Sequence, residues 1–199
     1  MVYTDKGAGS DYYDLNAQAG VRANGTVGAL VGTAFSTSMS NVWVSGSVSG
    51  NHGAVGGLVG TFISGSIDTA YFNGSASLTS GPRGFLGGLA GIGFGLQVSN
   101  AYSVGTLTDQ GTDSIVGGLV GAGSLNSFNQ VYADQQVTLG AGGLVTGLTY
   151  DVAESPSVLV DSGYYRNDAS LSYANALGTA LSDTQMTQAS AFAGFTGDH

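Results

Sequence analysis

The chain has 199 residues, of which 35 are glycine, 2 are proline, none is cysteine and 42% are hydrophobic. Thirteen acidic side chains face four basic ones (Lys6, Arg22, Arg83, Arg166), a formal charge of −9; that argues against nucleic acid, whose phosphates need many cations, and against anionic lipid surfaces. The missing cysteines exclude a disulfide framework, thiolate metal ligands and a cysteine nucleophile, the glycines lack the three-residue period of collagen, and the apolar share is too high for a disordered glycine-serine linker.

A glycine-rich, apolar chain short of helix formers reads as all-β with many tight turns. It has no run of about twenty apolar residues, so no helix is expected to span a membrane. Met1 is followed by VYTDKG, without the basic start and apolar stretch of a signal peptide. The chain reads as a segment of a longer protein. In GSDYYDLNAQAG, Tyr13 stands thirty residues before Trp43, which predicts a degenerate first coil within an N-terminal cap over residues 1–26.

From residue 27 the chain repeats. The pattern Gly-(Ala/Gly)-Leu recurs with its leucines at Leu30, Leu58, Leu89, Leu119 and Leu144, at separations of 28, 31, 30 and 25. The repeat residues are Gly28 with Leu30, Gly56 and Gly57 with Leu58, Gly87 and Gly88 with Leu89, Gly117 and Gly118 with Leu119, and Gly142 and Gly143 with Leu144. An aromatic residue follows each leucine: Trp43, Tyr71, Tyr102, Tyr132 and Tyr164, at offsets of 13 four times and then 20. The fifth unit is therefore expected to hold seven extra residues around TYDVAESPSV. Three before each aromatic stand Ser40, Asp68, Ser99, Asn129 and Asp161, residue types that bond local backbone at turns. Three after it stand Gly46, Gly74, Gly105, Gln135 and Asn167, so the aromatic is expected on a short strand between two turns.

A fixed unit of about thirty residues suits one coil of a right-handed parallel β-helix, in which each coil rises about 4.8 Å and like residues stack into ladders. The expected solenoid has about five coils over residues 27–170. An antiparallel sandwich is the competing architecture, but it needs no such self-similarity. Residues 171–199 read as a C-terminal capping segment. In LSDTQMTQASAFAGF, Ser182 is an N-cap with Gln185 three residues on, a capping box. Leu181, Met186 and Phe192 would cover the last coil, and Gly194 would stop the helix.

The runs VGALVG (27–32), VGGLVG (55–60 and 116–121) and LGGLAG (86–91), continued by NVWVSGSVSG, TAYFNGSAS and NAYSVGTLT, resemble the GLUG motif, and ALSDTQMTQASAFAGF is similar to the segment that often follows it. The resemblance covers about residues 21–195 and departs in the fifth unit, where Thr146 replaces the last glycine. It implies a parallel β-helix in a large bacterial surface or secreted adhesin of the haemagglutinin-like exoprotein kind. It carries no catalytic residues to this chain.

The aromatic residues are the first candidate site. Facing outward they would make a stacked platform suited to sugar rings; facing inward they are core. The small or apolar residues before them (Val42, Ala70, Ala101, Val131, Gly163) would also suit an interior and do not decide it; a buried core stack is the preferred reading. Thr33 and Thr61 occupy equivalent places, but Ile92, Ala122 and Gly147 follow, so the threonine face of an ice-binding solenoid ends after two units. A polysaccharide-cleaving site needs paired carboxylates on one face. Asp68 and Asp161 stand three units apart, and Asp109 with Asp113 reads as solvated acids in a variable loop. Asp109, Asp113, Asp151 and Glu154 offer at most adventitious calcium ligands, and His52, alone inside the repeats, cannot build a zinc site. NGT (24–26) and NGS (73–75) match glycosylation sequons and read as turns.

The expectation is thus a non-catalytic adhesive segment with no cofactor and no metal. Its partners are flanking domains of the same long chain and a host or surface glycan or protein, with no nucleic acid and no membrane insertion. The variable stretches after Gly46, Gly74 and Gly105 are the expected contact surface at one edge of the rod, and the location is extracellular.

Overall fold

The computed structural model describes residues 12–153 and 156–192. They form a parallel β-solenoid of about five turns with one short helix at the C-terminal end. The strands are β1 (Tyr12–Ala23), β2 (Val27–Gly28), β3 (Val31–Gly50), β4 (Ala54–Gly56), β5 (Val59–Leu78), β6 (Phe85–Gly87), β7 (Ala90–Asp109), β8 (Ile115–Gly117), β9 (Val120–Ser124), β10 (Ser127–Thr138), β11 (Leu144–Thr146), β12 (Tyr150–Asp151), β13 (Leu159–Val160), β14 (Gly163–Arg166) and β15 (Thr179–Leu181). The long sheet runs β1-β3-β5-β7-β10-β14-β15, with β9 also on β7, β12 on β9 and β13 on β10. The short sheet runs β11-β8-β6-β4-β2. Every pairing between these strands is parallel, which excludes the sandwich.

The glycine-leucine motif is the corner between the two sheets. In VGGLVG at 55–60, Val55 and Gly56 end the short strand, Gly57 and Leu58 turn the chain, and Val59 starts the long strand. Leu58 N donates to Leu89 O at 2.9 Å, Leu89 N to Leu119 O at 2.8 Å, and Leu119 N to Leu148 O at 3.0 Å. These four leucines are fully buried, and each contributes about 1.5–3 kcal/mol of burial against the entropy of ordering the coil. The corner has no room for side chains beside it. A Cβ on Gly56 would lie 2.1 Å from Val59 O and 2.6 Å from Ala90 Cα of the next coil. The left-handed glycines do not include Gly28, Gly56, Gly87 or Gly117, so this position demands space rather than positive φ.

The hydrogen bonds correct the fifth unit. Leu144 pairs with Ile115, Val145 with Val116 and Thr146 with Gly117. Leu148, not Leu144, therefore stacks on Leu119, and Leu144 is exposed. Gly142 and Gly143 lie in the loop before β11, so they are not motif glycines; Gly147 takes the place of Gly118 and Thr146 that of Gly117. Tyr164 then follows its leucine by 16 residues rather than 20, and the insertion is three residues net. The physical reason is that a corner leucine must donate to the next coil, which Leu148 does to Leu177 O at 3.0 Å.

Strands β3, β5 and β7 each run 20 residues, about 66 Å if straight. They bend instead at left-handed residues: Ser36, Ser64 and Gly95, then Asn41, Thr69 and Asn100, with Gln130 continuing the second set in β10. Inside the bends, Met39, Ile67, Val98 and Phe128 form one core ladder and Val42, Ala70, Ala101 and Val131 another. The variation in length falls after Gly46, Gly74 and Gly105 as expected, but the residues just after them are still paired strand and it is confined there to the linkers 51–53, 79–84, 110–114 and 139–143. These linkers sit on one edge and pair with one another, as Pro82 does with Thr112 and Thr112 with Ala141.

At the N-terminal end, β1 lies along β3 as the expected extra rung. Its register sets Asn16 beside Trp43 and Tyr13 beside Ser40, three residues from the expected alignment. At the other end β15 continues the same sheet to Leu181. Ser182 and Gln185 form the capping box of a helix α1 of four residues (Asp183–Met186), followed by a 3-10 turn at Ala189–Ala191. Leu181 is buried, Met186 is half-buried, and Gly194 lies outside the described residues.

Candidate functional site

Period-two alternation decides where the aromatic residues point. Val42 and Val44 are fully buried on either side of Trp43, as are Ala70 and Phe72 around Tyr71, Ala101 and Ser103 around Tyr102, and Val131 and Ala133 around Tyr132. The aromatics between them project outward and are half-buried, which overturns the expectation of an interior stack. The apolar residue before each ring does suit the interior, and takes it, which leaves the ring outside.

The rings form a ladder. Trp43 and Tyr71 have centroids 5.9 Å apart with planes 9° apart, Tyr71 and Tyr102 4.9 Å and 3°, and Tyr102 and Tyr132 4.8 Å and 0°. Stacked carbon atoms touch at about 3.5–4 Å, so each ring has slid sideways over the next, the offset arrangement that the ring quadrupole favours. The ladder stops at Tyr132. Phe192, from the C-terminal segment, packs 5.6 Å from Tyr132 and 5.2 Å from Tyr164 at steep angles, and Tyr164 is buried. Burial, then Tyr102 and Asp134, push the Tyr132 phenol up to about 12. Burial, then Tyr71, raise Tyr102 as well.

Beside the ladder runs the second set of left-handed residues, with Asn41 at φ 53°, Thr69 at 50° and Asn100 at 49°. Together with Trp43, Ala70, Tyr71 and Tyr102 they line an open groove of about 350 Å3. On its rim Asp68 accepts from Ser99 Oγ at 2.5 Å, Asn100 Nδ2 at 2.9 Å and Thr69 Oγ1 at 3.1 Å. Burial works to raise the Asp68 carboxyl, but the bonds from Ser99, Asn100 and Thr69 outweigh it and hold it below its ordinary value. Sequence reasoning missed Asn41, Thr69 and Asn100. The available signal was asparagine recurring two residues before the aromatic, since asparagine tolerates the left-handed region.

Of the other acidic candidates, Asp109 and Asp151 are committed to hydrogen bonds. Asp109 is buried, against the expectation of a solvated acid; it accepts from Gly111 N at 2.8 Å and Gly140 N of the next coil at 3.3 Å. Asp113 is exposed. Asp151 accepts from Ala153 N, Ser157 N, Ser157 Oγ and Val158 N, closing the inserted loop. Glu154 lies outside the described residues. His52 Nδ1 sits 2.7 Å from Asn51 Oδ1 and accepts from Gly25 N at 3.2 Å. Among the described residues no three His, Cys, Asp or Glu side chains gather as a metal site would require. A larger hollow of about 630 Å3 lies at the C-terminal end between β10, the Arg166–Ala169 stretch and α1, where Arg166 is spent on Asp134 at 2.9 Å and Asp183 at 2.8 Å. Thr33, Thr61, Ile92 and Ala122 align as expected, and the fifth place belongs to Tyr150 rather than Gly147. Among the described residues no helix is long and apolar enough to cross a membrane.

No protein-family model matches the chain, and no curated protein matches it. A solved structure, the 1.30 Å crystal structure of a putative immunoglobulin A1 protease from Bacteroides ovatus, is similar with a TM-score of 0.63 and 19% identity, covering 88% of this chain and 68% of that one. At that identity the likeness is one of fold.

Proposed function

We propose that this chain is a non-catalytic adhesive segment of a bacterial cell-surface or secreted protein, a solenoid rod that holds one long face in fixed geometry for contact. One observation carries the reading: a half-exposed ladder of four rings stands on the outside of a solenoid whose core is complete without it. Exposed rings at fixed spacing are the sort of surface that contacts use. The resemblance of the glycine-leucine repeats to GLUG motifs supports the extracellular setting, with flanking parts of a longer chain as covalent neighbours.

An enzymatic reading draws its support from the name of the similar Bacteroides structure. Against it stand the carboxylates of Asp68, Asp109 and Asp151, each committed to local hydrogen bonds. Beads coated with the chain are expected to be retained on epithelial cell layers or bacterial lawns, while immunoglobulin A1 incubated with the chain stays intact. Cleavage of the immunoglobulin, or retention no better than that of uncoated beads, would overturn the reading.

A further inference from the structure

We propose that the groove between the aromatic ladder and the left-handed corner residues binds an uncharged polysaccharide laid along the solenoid axis. The inference rests on the adhesive reading and names its ligand class. The groove spans three coils. Trp43, Tyr71 and Tyr102 form one wall and Asn41, Thr69 and Asn100 the other. No lining side chain is charged at neutral pH, and the rim carboxylate of Asp68 is already held by three donors. A chain of net charge −9 repels polyanionic glycans, which leaves neutral ones.

The backbone argues against an extended peptide. Strands β3, β5 and β7 under the groove are paired on both sides, so they offer no free edge for strand addition. A ligand must bring hydroxyls for the Asn and Thr side chains and an apolar flank for the slipped rings. A sugar ring has both, with C–H groups on its faces and hydroxyls around its rim. The wall also repeats, one ring and one polar side chain per coil, with rings 4.9 Å apart between Tyr71 and Tyr102. A repeating ligand gains from such repetition because its successive units bind intramolecularly. Phe192, seated against Tyr132, bounds the groove at its C-terminal end.

Trp43 is the only tryptophan in the chain, so its emission reports from inside the groove. The test is native electrophoresis in gels containing hydroxyethylcellulose, xyloglucan, galactomannan or dextran, with polygalacturonate as the charged control, followed by fluorescence titration with the retarding polymer. At least one neutral polymer should retard the chain and shift Trp43 emission, and polygalacturonate should not. Trp43→Ala and Tyr102→Ala should each weaken binding about tenfold, the scale of a contact that carries binding energy. Trp43→Phe should restore part of it, Asn100→Ala should weaken it, and Phe94→Ser on another face should leave it unchanged. Circular dichroism confirms that each variant is folded. The proposal is overturned if no neutral polymer retards the chain, if Trp43 emission ignores a polymer that does, or if folded Tyr102→Ala and Asn100→Ala bind like the parent. Bead retention without polymer binding would leave the adhesive reading standing and remove this ligand; loss of both would remove both.

Discussion

Tyr102 and Tyr132, one coil apart, lie with ring centroids 4.8 Å apart and planes at 0°. Their backbones pair residue for residue, and the strand spacing of about 4.8 Å is thereby copied into the side chains. Neither ring is needed to fill the core. The rings stack because identical residues on paired strands have nowhere closer to go, and the result is an outward face of fixed geometry.

The ladder of buried leucines sets the register, so mutation there reads the register directly. Leu119→Ala and Leu148→Ala should each cost about 2–5 kcal/mol in denaturant unfolding, since both side chains are fully buried. Leu144→Ala should change stability by less than about 0.5 kcal/mol, because that side chain is exposed. A large loss at Leu144 with a small one at Leu148 would restore the register expected from the sequence.

Gly117 tests the corner. An added Cβ would stand 2.0 Å from Val120 O, against backbone that cannot yield cheaply. Gly117→Ala should therefore cost about 2–4 kcal/mol. Gly20→Ala is the control, with its nearest neighbour at 3.9 Å, and its unfolding midpoint should stay close to the parent's.

Alkaline titration should single out Tyr132. Burial, then Tyr102 and Asp134, raise its phenol to about 12, above the ordinary tyrosine value of 10.0. Between those values the folded chain holds a proton that the unfolded chain has lost, so stability falls as pH rises from about 10 to 12. Phenolate absorbance should show Tyr132 ionising after the ordinary tyrosines, and Tyr132→Phe should remove the latest step while flattening the loss of stability. A Tyr132 that ionises at the ordinary value would contradict the burial of its ring.

The inserted loop should respond at the acid end. Burial works to raise the Asp151 carboxyl, but bonds from Ser157, Ala153 and Val158 outweigh it and hold it below 3.8. Its contribution is present above the unfolded carboxyl value and is lost as pH falls through the lowered one. Hydrogen exchange at the amides of Ser157 and Val158 should accelerate below that range. Asp151→Ala should produce the same acceleration at neutral pH, and unchanged exchange in that variant would remove Asp151 as the closure of the loop.

Much of this was legible from spacing. The offset of 13 between leucine and aromatic recurs because that stretch pairs with a neighbouring coil and tolerates no insertion. The capping box at Ser182 was legible because it is a local hydrogen-bond pattern. The fifth unit misled because GGL at 142–144 copies the motif letters while TGL at 146–148 does its work. Only the bond from Leu119 N to Leu148 O separates the two.

Stacking like on like leaves a period that survives in one dimension, so the coiling, the coil length and the stacked residues could be read directly from the sequence for the units from Leu30 to Tyr132. The tertiary structure alone decided which side of the coil the aromatics take. Alternation inside a strand holds only until the next bend, and left-handed residues such as Asn41 and Thr69 reset it at each corner. Val42 and Val44 then claim the interior on either side of Trp43, and the ladder is left outside, facing whatever the rod meets.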